Sequence, residues 1–525
     1  MKDLTFEYKN IKAVCLAALL LPTMFFFLGW VKLAIAIPLT IVLIATFVYT
    51  VRKDKDDRQV KVSVKEIILI LSVVTVWCLL TGIGGFTASK IDLYWRNPVY
   101  ADIILKDWPV RYDGVLDGYG LSYYIGYWLV PGAFSKLFLF LGEDAAWNAG
   151  RVALVIWTSW LLFLCALLLK MYTGAKGFKP TVIMLLLFVF FSDMDVISMC
   201  TQTALNNLPE VFFDKFRQFE PMTCCWLFCS TSSQLAWVFN QSVPAWLATL
   251  MFLNEKSARN YALIGLSILI TSPLPFIGLV FFMLAFAARD LIYSAREGKI
   301  KEGILNIITL TNILASVSIF PVVAMYITSN KNSSIMTLGL SYAAIHWKSY
   351  LAFLLGCHII TVLIIIRKKR LFECILLLCS FLIIPMIFIG ESASDIVNYP
   401  YDRAVNSDFC MRASIPAIII LMAMVGRYLF NEYKQKGGPS VRSRLLTFVL
   451  IMSLLAPSVE IISSVVGAID HEKAFFYPYA KSEMSLEELE PDDIFVSDTS
   501  GVPKKDESNF VCVTEDSTFY KYLAR

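Results

Sequence analysis

Long apolar blocks separated by short polar segments make up most of the chain. The runs 33–51, 182–191 and 445–466 contain almost no charged residue. A helix needs about 20 apolar residues to cross the hydrocarbon core with its backbone hydrogen bonds satisfied internally. The pattern therefore predicts an all-α polytopic membrane protein with about 13 spans. The predicted spans are 11–30, 32–51, 66–86, 151–170, 180–198, 235–253, 258–272, 275–290, 303–328, 348–366, 371–389, 412–430 and 445–467.

The basic residues predict which side each loop faces. With the N-terminus in the cytoplasm, one threading places every Lys- and Arg-rich loop inside, as the positive-inside rule requires. Those loops are 52–65, 170–179, 289–301, 367–370 and 434–444. The threading requires that 121–141 does not cross, because a crossing there would invert every later loop. Pro131-Gly132 divides this stretch and aromatic residues crowd one end, so we expect helices lying on the outer leaflet.

A second segment bears on the same threading. The stretch 258–290 contains Ser272-Pro273-Leu274-Pro275, and each half is short for a span. A tight pair of short helices keeps the charge rule, whereas a single long kinked helix breaks it. We therefore predict the pair.

This topology divides the chain into three parts. Residues 1–65 hold two spans and a basic cytoplasmic loop, and 66–468 form the main membrane domain. That domain has two large outer loops, 87–150 and 193–234. Residues 469–525 form a small extracytoplasmic C-terminal tail, which is too short to hold much of a core by itself.

Composition agrees with the membrane prediction. Hydrophobic residues make up 57% of the 525 residues and charged residues only 17%, with a mean hydropathy of +0.65. Soluble domains are about 25% charged, so this chain is not covered mainly by water. The net charge of +4 is spread over many short loops and does not indicate a nucleic-acid partner.

The first outer loop carries acidic, basic and aromatic residues close to the end of a span. Asp92 lies at the depth expected for a lipid phosphate, where a carboxylate can act as general base on an acceptor hydroxyl. Neighbouring arginines can hold a phosphate leaving group, and indole rings can stack on sugars. A solvated acidic loop with an aromatic belt is the alternative. The candidates are Asp92 and Asp102 for catalysis, and Arg96, Arg111, Trp95 and Trp108 for substrate binding.

The second outer loop opens with two carboxylates. Asp193 and Asp195 are spaced so that they can share a divalent cation such as Mg²⁺ or Mn²⁺, although a bare Asp-x-Asp pattern is common. Gln241 follows Asn240 at the outer mouth of a later span. If these amides are buried rather than wet, a sugar or pyrophosphate site explains them best.

Arg412 begins a span on the outer side, where the positive-inside tendency disfavours it. It either pairs with Asp408 or binds the phosphate of a lipid carrier. His358 lies mid-span and is predicted to be a hydrogen-bonded core histidine. No Walker, GxSxG, HExxH or dinucleotide motif occurs in usable context, so a cytosolic nucleotide-driven activity is unsupported.

The order of features between 66 and about 200 resembles a known superfamily. A span is followed by Asp92, an aromatic loop, predicted surface helices, and then Leu139-Phe140-Leu141-Gly142 and Arg151 at the next span. This arrangement resembles the GT-C superfamily of membrane glycosyltransferases. The resemblance implies a polyprenyl-phosphate sugar donor, an active site facing away from the cytoplasm and a catalytic carboxylate at Asp92. The chain lacks the adjacent Asp-Glu pair of that family.

The resulting prediction is a bacterial inner- or plasma-membrane glycosyltransferase. It would move a sugar from a polyprenyl-phosphate carrier to a glycan, lipid or protein acceptor on the non-cytoplasmic face. The alternatives are a surface-polysaccharide polymerase or ligase and a lipid-linked-glycan transporter or flippase. Few charged residues lie mid-span and polar residues gather at the outer rim, which favours surface chemistry over translocation. The expected partners are the bilayer, the lipid-linked donor and the acceptor.

Overall fold

Of the residues that the computed structural model describes, 78% are helical and 5% lie in strands, which confirms the all-α class. The predicted outer loops 87–150 and 193–234 and the tail 469–525 lie partly outside the described residues. The described residues are 3–87, 90, 92–113, 116–206, 226–330, 336–338, 340–389, 408–431, 440–469, 486, 495–497, 503–508 and 510–525.

The N-terminal half is built from long helices joined by short connections. The helices up to residue 254 are α1 (Tyr8–Trp30), α2 (Leu33–Lys53), α3 (Val64–Leu80), α4 (Asp92–Leu105), α5 (Gly126–Lys136), α6 (Glu143–Thr173), α7 (Phe178–Phe190), α8 (Asp195–Asn206) and α9 (Thr231–Asn254). Helix α3 begins with a capping box. The Ser63 hydroxyl accepts the Glu66 amide and the Glu66 carboxylate accepts the Ser63 amide, so two otherwise unpaired donors are satisfied.

The C-terminal half contains more short helices and breaks. Its helices are α10 (Tyr261–Leu266), α11 (Pro273–Arg296), α12 (Ile300–Ile307), α13 (Leu310–Ile327), α14 (Leu340–Ile345), α15 (Trp347–Gly356), α16 (Ile359–Ile365), α17 (Leu371–Ile383), α18 (Asp408–Ala413), α19 (Ile415–Asn431), α20 (Val441–Met452), α21 (Leu455–Ile469) and α22 (Thr518–Tyr522).

The strands form two-stranded antiparallel pairs. They are β1 (Asp3–Glu7) with β2 (Gln59–Ser63), β3 (Tyr119–Leu121) with β8 (Val511–Val513), β4 (Met336–Leu338) with β5 (Ile387–Ile389), and β6 (Phe495–Ser497) with β7 (Pro503–Ser508). Two-stranded ribbons have little stability of their own, so these pairs depend on the helices against which they lie.

Eight segments in the described part of the chain are long and apolar enough to cross a membrane. They are Tyr8–Trp30, Leu33–Lys53, Glu143–Thr173, Phe178–Ser198, Pro273–Arg296, Ile300–Ile327, Phe409–Asn431 and Val441–Ile469. Helices α15 and α16, bent by 42°, make a ninth if they form one broken span. The polytopic membrane class is therefore supported, and the count of thirteen spans remains a prediction.

Two segments on which the topology depends have a definite local structure. The break predicted in 258–290 is present, because α10 and α11 are separate helices. However, α10 has six residues, about 9 Å of helix, so it is too short to cross the bilayer by itself. Helix α5, within 121–141, has 11 residues and is also too short. Much of α5 is buried in the protein, while Phe140 at the end of the stretch is exposed.

The molecule has two chemically different ends, joined by the long helices. The basic end contains the start of α1, the end of α2 and the end of α9, where Lys12 pairs with Asp54 and Glu255 at 2.8 Å each. The loop end contains the α1–α2 turn, the segment 90–125 and the C-terminal segment 510–525. Trp237 and Glu255 lie 18 residues apart on and just after α9, or about 27 Å, which approaches the thickness of bilayer hydrocarbon.

The C-terminal segment 510–525 is part of the loop end rather than a separate domain. Strand β8 pairs with β3 of the first loop, and Phe519 packs on Phe26 of α1. The Arg525 amide donates to the Trp30 carbonyl at 2.9 Å. The α1–α2 turn, the first large loop and residues 510–525 therefore contact one another at the loop end.

Candidate functional site

A group of charged side chains lies at the loop end, and we call it the charged cluster. Its members are Lys90, Asp92, Arg96, Arg412 and Glu460. They come from four distant parts of the sequence: the connection after α3, the first turns of α4, the end of α18, and α21.

Asp92 and Arg96 form the first part of the charged cluster. They lie four residues apart at the start of α4, which places them on the same helix face. An Arg96 Nη donates to the Asp92 carboxylate at 2.8 Å. The guanidinium is buried, whereas the Asp92 side chain is 35% exposed. The carboxylate is therefore the accessible partner of the pair.

Arg96 also ties α4 to α9 and to the first loop. Its guanidinium donates to the Trp237 carbonyl and, at 3.2 Å, to the Tyr123 hydroxyl. The backbone leaves helical geometry at Val238 (φ −138°, ψ 35°). A carbonyl beside such a break is available to a side-chain donor, so the irregularity in α9 helps to hold Arg96.

Lys90 and Glu460 form a buried ion pair next to Trp237. The Lys90 ammonium lies 5.6 Å from the centre of the Trp237 ring. The Trp237 indole donates to Glu460 at 3.4 Å, and the Ser233 hydroxyl does so at 3.5 Å. Removing charges from water costs several kcal/mol per ion, so this pair needs such additional contacts.

Arg412 joins the charged cluster through two tyrosines. Its guanidinium donates to the Tyr124 hydroxyl at 3.0 Å, and the rings of Tyr124 and Tyr123 lie 4.0 Å apart. Tyr123 in turn accepts from Arg96. The side chain of Asp408, the partner considered from the sequence, lies outside the described residues. Tyr124 and Tyr123 thus connect the guanidinium of Arg412 with that of Arg96.

The electrostatics of Arg96 reflect these neighbours. Burial lowers the pKa of the guanidinium, but Tyr123 and Asp92 raise it, and the net pKa lies above its ordinary value. The positive charge of Arg412 acts in the lowering direction, because two like charges close together disfavour each other. Among the described side chains, the cations Arg96, Arg412 and Lys90 therefore lie close to the carboxylates of Asp92 and Glu460.

Two amides on α9 lie one turn beyond Trp237. Asn240 and Gln241 are fully buried. Within the described residues, the side-chain amide of neither residue has a hydrogen-bond partner. An unpaired buried amide costs about 1–3 kcal/mol, so such groups usually bind water or a ligand. The sequence-based hypothesis of a polar site requires these two amides to be buried, and both are buried.

The two carboxylates predicted to share a metal have other partners. Asp193 lies 2.5 Å from the His358 imidazole, and Asp195 accepts from the Ser192 hydroxyl at 2.9 Å. The rings of Phe191, Phe228 and Phe381 surround His358. Among the described residues no group of three His, Cys, Asp or Glu side chains could hold a metal ion. These partners do not favour a metal bridging the two carboxylates.

Asp102 is placed away from the charged cluster. It lies ten residues after Asp92 on α4, about 15 Å along the helix. Its fully buried carboxylate accepts from the Tyr112 hydroxyl at 2.9 Å and from the Leu486 amide at 3.2 Å. These contacts fit a structural role between the first loop and the tail.

The other predicted substrate residues of the first loop are also apart. Trp108 packs on Trp30 with ring centres 4.9 Å apart, and its indole donates to the Ile103 carbonyl. Arg111 is exposed and donates to the Arg525 carbonyl at 3.4 Å. The side chain of Trp95 lies outside the described residues. Of the arginines predicted to bind phosphate, the structure brings Arg96 and Arg412 together.

Two members of the charged cluster are absent from the sequence-based candidates. Glu460 is a lone carboxylate inside the predicted span 445–467, and an ionisable residue within a span indicates a functional site. Lys90 is a basic residue just outside a span on the predicted outer side. Arg412 was selected because a charge is disfavoured at its position relative to a span, and the same reason applies to Glu460 and Lys90.

No protein-family model, curated protein or solved structure matches the chain in the three comparisons. The class of the protein rests on its own architecture, which is that of an α-helical membrane protein with eight candidate spans among the described residues.

Proposed function

We propose that the chain is a membrane glycosyltransferase that uses a polyprenyl-phosphate sugar donor. The acceptor is a glycan, lipid or protein on the non-cytoplasmic face. The observation that carries the proposal is the charged cluster. It combines one accessible carboxylate, Asp92, with cationic side chains from distant segments at the end opposite the basic end.

The proposed reaction assigns a role to each charge. Asp92 takes the proton of the acceptor hydroxyl as its oxygen attacks the anomeric carbon of the donor sugar. The bond between that carbon and the phosphate oxygen breaks, and the carrier phosphate leaves with the bonding electrons. Arg96 and Arg412 stabilise the negative charge on the leaving phosphate. The buried amides of Asn240 and Gln241 bind sugar hydroxyls. No metal is needed in this scheme.

A variant of Asp92 tests the proposed base. Asp92→Asn removes the proton acceptor with little change in shape, so we expect transfer to fall at least about 100-fold. The assay follows consumption of a panel of polyprenyl-phosphate sugars by the purified full chain in liposomes. Asp107→Asn, an exposed aspartate of the same loop, is the matched control and keeps its turnover. Unchanged turnover in Asp92→Asn removes Asp92 as the base.

A lipid-linked-glycan flippase is the second candidate, and one observation favours it. Asp193 is buried and Glu460 is largely buried within candidate spans, a placement typical of transporters. Flipping without transfer would move a fluorescent polyprenyl-phosphate sugar across the liposome bilayer while the sugar stays on its carrier. A polymerase or ligase uses the transferase chemistry with a longer donor glycan, so the transfer assay includes it.

A further inference from the structure

At the basic end, a polar cavity of about 820 Å³ lies between α2, α9 and α13. Six cationic side chains line it: Lys12, Arg52, Lys53, Lys55, Lys256 and Arg259. Three carboxylates also line it: Asp54, Asp56 and Glu255. The cations exceed the carboxylates by three, so the cavity suits an anionic ligand.

The carboxylates of this cavity already have cationic partners. Lys12 bridges Asp54 and Glu255, and Asp56 contacts Arg58 at 2.7 Å and Lys256 at 3.2 Å. Burial raises the pKa of Asp56, but hydrogen bonds from Arg58 and Lys256 outweigh it and bring the pKa to about 2. Asp56 therefore remains ionised, and all three carboxylates form ion pairs with neighbouring cations.

The cations at the end of α2 have no such partner. In the part of the chain that the structure describes, no carboxylate lies within ion-pair distance of Arg52, Lys53 or Lys55. Lys53 lies 4.6 Å from the centre of the Tyr49 ring. These three charges line the cavity at the end of the candidate span Leu33–Lys53.

A second cavity of about 520 Å³ adjoins the first and is almost entirely apolar. Residues of the same two segments line both cavities. Arg259 and Thr309 line the polar cavity, whereas Tyr261 and Ile308 line the apolar one. Asn312 joins the two segments, because its amide donates to the Ala258 and Ile307 carbonyls at 2.9 and 2.8 Å.

The apolar cavity is a groove that runs from the basic end towards the middle of the molecule. Along α11 it extends from Ala287 to Phe276, which is 11 residues or about 16 Å. Half of a 30 Å hydrocarbon core is about 15 Å, so the groove is as long as one leaflet is deep. The lining includes Leu284 and Val317, which are exposed on the lipid-facing surface.

We propose that these adjoining cavities bind one anionic phospholipid of the leaflet at the basic end. Its phosphate headgroup lies among Arg52, Lys53 and Lys55, and one acyl chain fills the groove between α10, α11 and α13. The positive-inside rule explains why basic residues lie at this end. It does not explain why a polar cavity lies next to an apolar groove that is about as long as one leaflet is deep.

The first test is lipid titration of the purified full chain in neutral detergent, with the unfolding temperature as readout. Phosphatidylglycerol should stabilise the protein at concentrations at which phosphatidylcholine and glycerol 3-phosphate have little effect. Equal stabilisation by phosphatidylcholine would show that charge is not recognised. Equal stabilisation by glycerol 3-phosphate, which has no acyl chain, would show that the protein does not recognise the acyl chain of the lipid. Either result overturns the proposal.

Variants separate this site from general attraction to basic surface. Arg52→Gln, Lys53→Gln and Lys55→Gln together should weaken phosphatidylglycerol binding about 100-fold, because each basic charge near a membrane surface contributes about fivefold. The matched control changes three exposed cations of the same end: Lys368→Gln, Lys369→Gln and Arg444→Gln. An equal loss in both triple variants rejects a defined headgroup site.

The groove has its own variant, which is informative even if the triple variant does not fold. Ser316 is exposed and lines the groove, so Ser316→Trp fills the space for the acyl chain without changing the buried core. We expect at least tenfold weaker phosphatidylglycerol binding, whereas Ser316→Ala keeps the wild-type affinity. Wild-type affinity in Ser316→Trp would exclude the groove as the acyl-chain site.

Discussion

Glu460 is the residue on which the buried charges of the loop end depend most directly. Its carboxylate pairs with Lys90, and both side chains are largely buried. Loss of one partner leaves the other charge buried without compensation. We predict that Glu460→Gln lowers the free energy of unfolding by about 3–5 kcal/mol. Thermal unfolding in detergent measures this as a lower midpoint.

A double variant separates charge burial from lost packing. Lys90→Met with Glu460→Leu removes both charges, so it should lose less stability than Glu460→Gln alone. The surface pair Lys299 and Glu297 is the control, because both side chains are exposed and Glu297→Gln should change stability by less than about 1 kcal/mol. A double variant less stable than Glu460→Gln would contradict the account.

At the scale of residues, the sequence predicts part of the candidate site. Asp92 and Arg96 are identified by their position after a span, and Arg412 by its charge on the unfavoured side. Arg96 and Arg412 come together through Tyr123 and Tyr124. These tyrosine contacts join distant parts of the chain, so no local sequence pattern predicts them. The pairing of Asp193 with His358 is likewise a long-range contact, which the spacing of Asp193 and Asp195 in the sequence does not specify.

The C-terminal segment 510–525 is the element that supports the loop end. Tyr520 donates to the Leu121 carbonyl at 2.7 Å, two residues before Tyr123. A Cβ on Gly120 would lie 2.4 Å from the Tyr520 ring, so the strand fits closely only because this residue is glycine. The segment therefore helps to position the tyrosines that hold Arg96 and Arg412.

The buried position of Tyr520 predicts that Tyr520 and Tyr522, two tyrosines of the short helix α22, differ in how much they stabilise the protein. Tyr520→Ala removes a buried ring and should destabilise the protein by about 3–5 kcal/mol, as for other large aromatic truncations. It should also expose the C-terminal segment to limited proteolysis. Tyr522 is 66% exposed, and Tyr522→Ala should behave as wild type in both measurements. Equal proteolysis of the two variants would show that the segment is not anchored by Tyr520.

At the scale of elements, apolar periodicity predicts where helices lie but not how each one crosses. The helices α1, α2 and α6 match predicted spans because their apolar runs are long and uninterrupted. The segment 258–272 does not form a span-length helix, since α10 ends after six residues and turns follow. Whether such a segment forms a helix or a turn is decided by packing between α11 and α13, which hydropathy does not record.

The whole molecule places its charged residues at two ends separated by apolar helices. The candidate span Phe409–Asn431, formed by α18 and α19, is entirely buried along its apolar stretch, whereas only 28% of the apolar stretch of α2 is buried. An inner helix surrounded by lipid-facing helices is typical of a membrane bundle. The account therefore requires the charged cluster and the basic cavity to face opposite sides of one bilayer.

Cysteine labelling in sealed right-side-out vesicles tests this requirement most directly. The twelve native cysteines are replaced, and single cysteines are placed at exposed positions as Asp107→Cys and Lys256→Cys. A membrane-impermeant maleimide should label Asp107→Cys in sealed vesicles and Lys256→Cys only after permeabilisation. Labelling of Lys256→Cys from outside, with Asp107→Cys protected, would place the charged cluster in the cytoplasm and contradict the account.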